Sequence, residues 1–211
     1  MLKRKVKIKN KSKHLLIIMS AFLFFIAISL LAFKYYGLYE KDKQEQNSIE
    51  LFFEEIPTEK EESEPNLEKV EEKENIIQYV AVLEIPKINL KKGLVDKNSK
   101  ANNVDRNIYT LKESTFPDEE EESHVILASH SGSGYYSYFN KLNKLNKSDQ
   151  VFLYYQGIKY IYQIVNIYEV EKTGTVSLRQ TTGSDITLIT CISGTDKQIV
   201  YVGSLEAKEN Y

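Results

Sequence analysis

The chain has 211 residues, of which 42% are hydrophobic and 27% charged, with a formal net charge of −2. That balance argues against a nucleic-acid binder, which carries a basic excess. One cysteine excludes an internal disulfide framework and, with three histidines, gives no zinc-ligand pattern.

The net charge hides an asymmetry along the chain. Residues 1–14, MLKRKVKIKNKSKH, carry seven Lys or Arg and no acid. Residues 15–33, LLIIMSAFLFFIAISLLAF, are nineteen residues without a charge. As an α-helix this run reaches roughly 28 Å, close to the hydrocarbon thickness of a bilayer. The KYYGLYEKDK that follows is a poor cleavage context, so the run reads as an uncleaved membrane anchor rather than a signal peptide. Seven cations before the helix outweigh Lys34, Lys41 and Lys43 after it. The positive-inside rule then predicts a cytoplasmic N-terminus and an extracellular remainder.

Residues 34–75 are charged, rich in Glu and short of apolar side chains, which predicts an extracellular stalk with helical pieces. The patch IELFFEEI within it has the character of a docking segment, without a stated partner. The composition shifts at Ile76. Residues 76–211 form the predicted folded domain. IIQYVAVLEIPKINL reads as strand with Pro86 as an interruption. SHVILASHSG is a short strand ending at His130. SGYYSYFNKLNKL has Phe139, Leu142 and Leu145 at helical spacing. QVFLYYQGIKYIYQIVNIYEV reads as a hairpin around YQGIK. DITLITC and KQIVYVGSL are two more strands joined by ISGTD. Seven or eight short strands in this length predict a mainly β fold, a closed or nearly closed barrel.

Cys191 ends one of these strands. A lone thiol in an exported chain points to a reactive group, which needs a base and an oxyanion donor. His14 falls on the cytoplasmic side. His124 and His130 flank one strand, about 20 Å apart, so only one of them can meet Cys191. His124 follows the acidic run PDEEEES and reads as the solvated start of the strand. His130, followed by SGSG, is the better partner.

TLITC, residues 187–191, closely resembles the TLxTC signature of sortases, the membrane-anchored cysteine transpeptidases of Gram-positive bacteria. ASHSG resembles the segment with that family's catalytic histidine. LEIPKINL resembles a strand near the start of its domain. The order of these motifs, and the 61 residues from His130 to Cys191, also fit. The resemblance covers residues 79–205 and implies a sortase-like β-barrel of seven or eight strands with short helices. It implies a transpeptidase that cleaves an LPxTG-like sorting motif between Thr and Gly through a thioacyl-enzyme. The acceptor would be an amine of a peptidoglycan precursor or of a pilin lysine, and the partners surface proteins or pilins that carry sorting signals. Cys191 would be the nucleophile and His130 the proton donor and acceptor. In a regular strand Thr190 faces away from Cys191 but lies close enough to contribute a hydroxyl.

The family also uses an arginine on the strand after the cysteine to hold the substrate carbonyl. Here that strand reads KQIVYVGS, and ungapped alignment sets Gln198 at the arginine position. Lys197, one residue earlier, faces the other way on a regular strand. Arg179, in the loop before the cysteine strand, is the third candidate, and Arg106 a fourth. The departure keeps two other readings open: a slow or inactive relative that binds sorting motifs, and a cysteine hydrolase. No cofactor is expected. Calcium bound by the acidic run at residues 117–123 is the alternative, because the family has calcium-binding loops and such ions need six to eight oxygens.

Overall fold

The computed structural model describes residues 6–54, 77–117, 122–173, 176 and 183–211. Arg179, residues 55–75 of the expected stalk and most of the acidic run at 117–123 lie outside them. The chain divides into two compact units, residues 1–44 and 45–211. Helix α1, Val6–Glu54, runs through the first and into the second. In the first unit the apolar side chains from Leu15 to Phe33 are exposed, which is the surface a lipid-facing helix presents. It is the one described helix long and apolar enough to cross a membrane.

The second unit is mainly β. Its strands are β1 (Ala81–Ile85), β2 (Leu90–Leu94), β3 (Tyr109–Thr110), β4 (His124–Ala128), β5 (Gln150–Tyr155), β6 (Ile158–Glu171), β7 (Asp185–Cys191) and β8 (Lys197–Asn210). They form one sheet in the order β2-β1-β5-β6-β8-β7-β4-β3, curled into a nearly closed barrel. All neighbours are antiparallel except β4 and β7, which run parallel.

Local chemistry explains the breaks. Pro86 cannot donate to a ladder, so the chain leaves β1 there in a short 3-10 turn, Pro86–Ile88. The β5–β6 hairpin turns through Gln156 and Gly157, both at positive φ (49° and 76°), as a two-residue turn of matching twist requires. β6 and β8 are long, and register shifts at Ile161/Tyr162 and Ile164/Asn166 bend them. Phe139, Leu142 and Leu145 are all buried, but only Leu142–Lys144 is helical, as a 3-10 turn.

Alternation along the strands sorts side chains into two layers. Ile186 and Leu188 of β7 and Tyr201 of β8 join the main core inside the barrel. Ile189 of β7, Val200 and Val202 of β8 and Ile126 of β4 form a second buried cluster on the opposite face. With both faces covered, the first six residues of β7 are buried and only Cys191 at its end is half-buried. The final turns of α1 belong to this unit. There Ile49 is buried with Tyr79, Val82 and Val95, and Phe52 and Phe53 pack against that cluster. Glu45 pairs with Lys92. The IELFFEEI patch thus has its partner on β1 and the segments beside it.

Candidate active site

The site is built from the ends of β4, β7 and the start of β8. The parallel ladder of β4 and β7 pairs Ala128 with Ile189. It continues through Ser129, whose N–H donates to the Ile189 carbonyl at 3.3 Å. The Thr190 hydroxyl donates to the Ser129 carbonyl at 2.7 Å and is buried. His130 and Cys191 come next along the two strands, and of the two only Cys191 lines the pocket at the end of β7. The His130 carbonyl accepts from the Phe139 N–H at 3.1 Å, which turns the chain away from the sheet. Thr190 therefore ties the strand end that carries His130 to the strand that carries Cys191.

On the other side of β7, Cys191 pairs directly with Gln198 of β8. The Ile192 N–H donates to the Lys197 carbonyl at 2.9 Å, so the rung at Ile192 and Lys197 is a hydrogen-bonded one. The rung at Cys191 and Gln198 is then non-hydrogen-bonded, the kind in which opposed side chains come closest. Cβ atoms in such pairs lie about 4.5–5.5 Å apart. Gln198 shares its face with Val200 and Val202, and Cys191 shares its face with Ile189. The two side chains thus leave the same face of the sheet, above the second apolar cluster. Lys197 points the other way: its ammonium lies 3.2 Å from Glu169 of β6. Gly194, at φ 77°, supplies the left-handed residue that the tight β7–β8 loop needs.

His130 is half-exposed, and its Nε2 lies 3.3 Å from Oδ1 of Asp105. Asp105 belongs to the loop between β2 and β3. Sequence reasoning singled out its neighbour Arg106 and passed over Asp105. The only signal was its place in an Asn-rich turn, NNVDRN.

His124 differs from its sequence-based expectation. It is not a solvated strand start but is buried, 5% exposed, with Nε2 2.8 Å from the Thr187 hydroxyl. The reason is the parallel β4–β7 pairing, which sets the first residue of β4 beside β7 instead of at an edge. Its partner Thr187 is the first residue of TLITC, so that motif carries structural bonds at Thr187 and Thr190 and the thiol at Cys191.

A pocket of about 340 Å³ opens at the end of β7, lined by Cys191, Thr190, Ile192, Ser193, Ile199, Glu169, Ser131, Phe139, Asn140 and Asn143. Among the described residues, no group of three or more His, Cys, Asp or Glu could hold a metal ion.

The sequence matches the sortase domain family over residues 83–206, more than half of the chain. Comparison with curated proteins gives no match. Among solved structures, sortase A of Listeria monocytogenes is similar, with 23% identity and a TM-score of 0.53 over 63% of this chain and 90% of that one. Sortase C1 of Streptococcus agalactiae is similar at 26% identity and a TM-score of 0.53, over 60% of this chain and 67% of that one. Sortase C of Streptococcus pneumoniae, described for its catalysis and pilin substrate specificity, is similar at 21% identity and a TM-score of 0.54, over 61% and 68%. With the family model matched over more than half of the chain, and over nearly all of the barrel, the chain belongs to the sortase family.

Proposed function

We propose that the protein is a membrane-anchored transpeptidase that cleaves an LPxTG-like sorting motif and joins the acyl part to an amine of the cell wall or of a pilin lysine. The Cys191 thiolate attacks the threonine carbonyl carbon. The carbon–nitrogen bond breaks, His130 gives its proton to the departing glycine amine, and a thioester remains. An incoming amine attacks the thioester and loses a proton to His130. An amide forms and the thiolate leaves. Gln198 donates an amide N–H to the carbonyl oxygen as it gains charge. The basic residues 1–14 keep the N-terminus in the cytoplasm, residues 15–33 span the membrane, and the barrel acts outside.

The observation that carries this reading is the arrangement of strand ends: Cys191 opposite Gln198, with the strand bearing His130 tied alongside. The buried apolar cluster of Ile126, Ile189, Val200 and Val202 supports it, because it packs β4, β7 and β8 together behind those strand ends. The neutral Gln198 favours a slow enzyme, because a charged donor makes hydrogen bonds roughly twice as strong as a neutral one. The test is incubation of the full chain, in detergent micelles, with LPxTG-like peptides in the presence and absence of glycine or lysine amines. Amine-dependent ligated product supports transpeptidation. Peptide release at a rate independent of amine would make the protein a cysteine hydrolase, and binding without turnover an inactive relative.

A further inference from the structure

Asp105 reaches His130 from a loop that is rigidly built. Asn102 is buried and its side chain makes three bonds: Nδ2 donates to the carbonyls of Lys97 (2.9 Å) and Thr110 (2.8 Å), and Oδ1 accepts from the Thr110 N–H at 2.8 Å. Thr110 belongs to β3, which pairs with β4 at Leu127, three residues before His130. The loop is therefore stapled to the strand that delivers the imidazole. Within it, Asn103 Oδ1 accepts the Asp105 N–H at 3.1 Å, and the Asn107 N–H donates to the Asn103 carbonyl at 2.9 Å. These bonds set the Asp105 backbone, and its carboxylate then meets His130 Nε2 at 3.3 Å.

We infer that Asp105 is a positioning residue for His130, accepting the Nε2 proton and leaving Nδ1 as the nitrogen that exchanges protons at the thiol. This rests on the reading of Cys191 and His130 above. A carboxylate on Nε2 fixes which tautomer the neutral ring adopts and orients the ring. Asp105 is 85% exposed and His130 48%, so water screens the pair and the effect is modest. Other titratable or charged groups on the segments bordering His130 include Cys191 on β7, Lys100 and Arg106 in the same loop, Tyr109 on β3, and Tyr136 and Tyr138 in the chain that follows.

The experiment is histidine NMR on the full chain in micelles, in the Cys191→Ala background, with and without Asp105→Ala. The chain has three histidines, so His14 and His124 serve as internal references. Asp105→Ala should shift the neutral form of His130 away from the Nε2–H tautomer, with His124 unmoved. With the thiol restored, kcat/KM for peptide acylation should fall about two- to fivefold through kcat, and Asp105→Glu should recover part of it. Asp105→Asn, which keeps the loop's shape and offers only a neutral acceptor, should shift the tautomer in the same direction by less. An unchanged His130 tautomer in both the Ala and Asn variants overturns the inference, whatever the activity does. The NMR arm needs no peptide substrate, so a failure of the transpeptidase reading would show separately, as absent acylation.

Discussion

Cys191 and Gln198 face each other at the end of β7, one pair before the joining loop begins. The rung above it pairs Ile192 with Lys197 and turns the lysine to the other side of the sheet, against Glu169. An amide thus stands where the family resemblance leads one to expect a cation. Gln198→Ala should lower the rate of peptide acylation by about ten- to a hundredfold, the scale for losing one oriented donor, slightly reduced because this donor is neutral. Lys197→Ala removes an exposed ion pair and should change the rate by less than about twofold. Single-turnover acylation separates the two; a larger effect from Lys197→Ala would remove Gln198 from the mechanism.

Thr190 links the strand end that carries His130 to β7, the strand of Cys191, through its hydroxyl. Thr190→Val keeps the shape and leaves the Ser129 carbonyl without that donor. It should cost about 1–2 kcal/mol of stability, measured by denaturant unfolding. It should also slow acylation at saturating peptide, because the strand end that carries His130 is then less firmly tied to β7. Full activity in the Val variant would show that the strand pairing suffices without the hydroxyl.

The two histidines of HVILASH should separate cleanly. His124→Leu leaves the buried Thr187 hydroxyl without its imidazole and should destabilise the fold by about 1–3 kcal/mol. Activity per folded molecule should be unchanged. His130→Ala should leave the unfolding midpoint within about 0.5 kcal/mol of the parent and abolish turnover. Unfolding curves paired with active-site titration give both quantities; equal losses of turnover in the two variants would contradict the assignment.

Lys87 and Asp149 clamp the turn after β1 to the start of the β5 hairpin, with the ammonium 2.7 Å from the carboxylate. Partial burial raises the Asp149 pKa, but the Lys87 ammonium and the Asn146 N–H outweigh it and hold the carboxyl below its ordinary value of 3.8. A folded-state pKa below the unfolded one means that the carboxylate's stabilisation is present above that ordinary value. It is lost as the pH falls through the lower, folded value. Asp149→Asn should therefore be less stable than the parent at pH 7, and the difference should shrink towards zero in strong acid. Melting temperatures across pH 2–7 would show it; a difference that grows in acid would reverse the sign and refute the account.

Much of this was legible along the chain because strand alternation and turn chemistry are local. QGIK names a two-residue hairpin turn, and DITLITC and KQIVYVGSL name strands whose register follows from the short loop between them. The family resemblance singles out Gln198, with Lys197 and Arg179 as alternatives, and the strand register sets Gln198 against Cys191. The burial of His124 was not legible, since it depends on a parallel pairing between segments 61 residues apart. Asp105 was missed for the same reason: the loop bonds of Asn102 and Asn103 bring it to His130 across 25 positions, and no local pattern encodes that approach. The helical spacing of Phe139, Leu142 and Leu145 correctly marked core residues, but an irregular segment buries them as well as a helix would.

The central claim is that Cys191 becomes acylated by a sorting peptide. Intact mass spectrometry of the full chain, after incubation with an LPxTG-like peptide library, tests it most directly. The predicted result is a hydroxylamine-sensitive mass addition equal to the acyl part of the peptide, mapped to Cys191 and absent in Cys191→Ala. No adduct with any peptide, or one that persists in Cys191→Ala, would contradict the account.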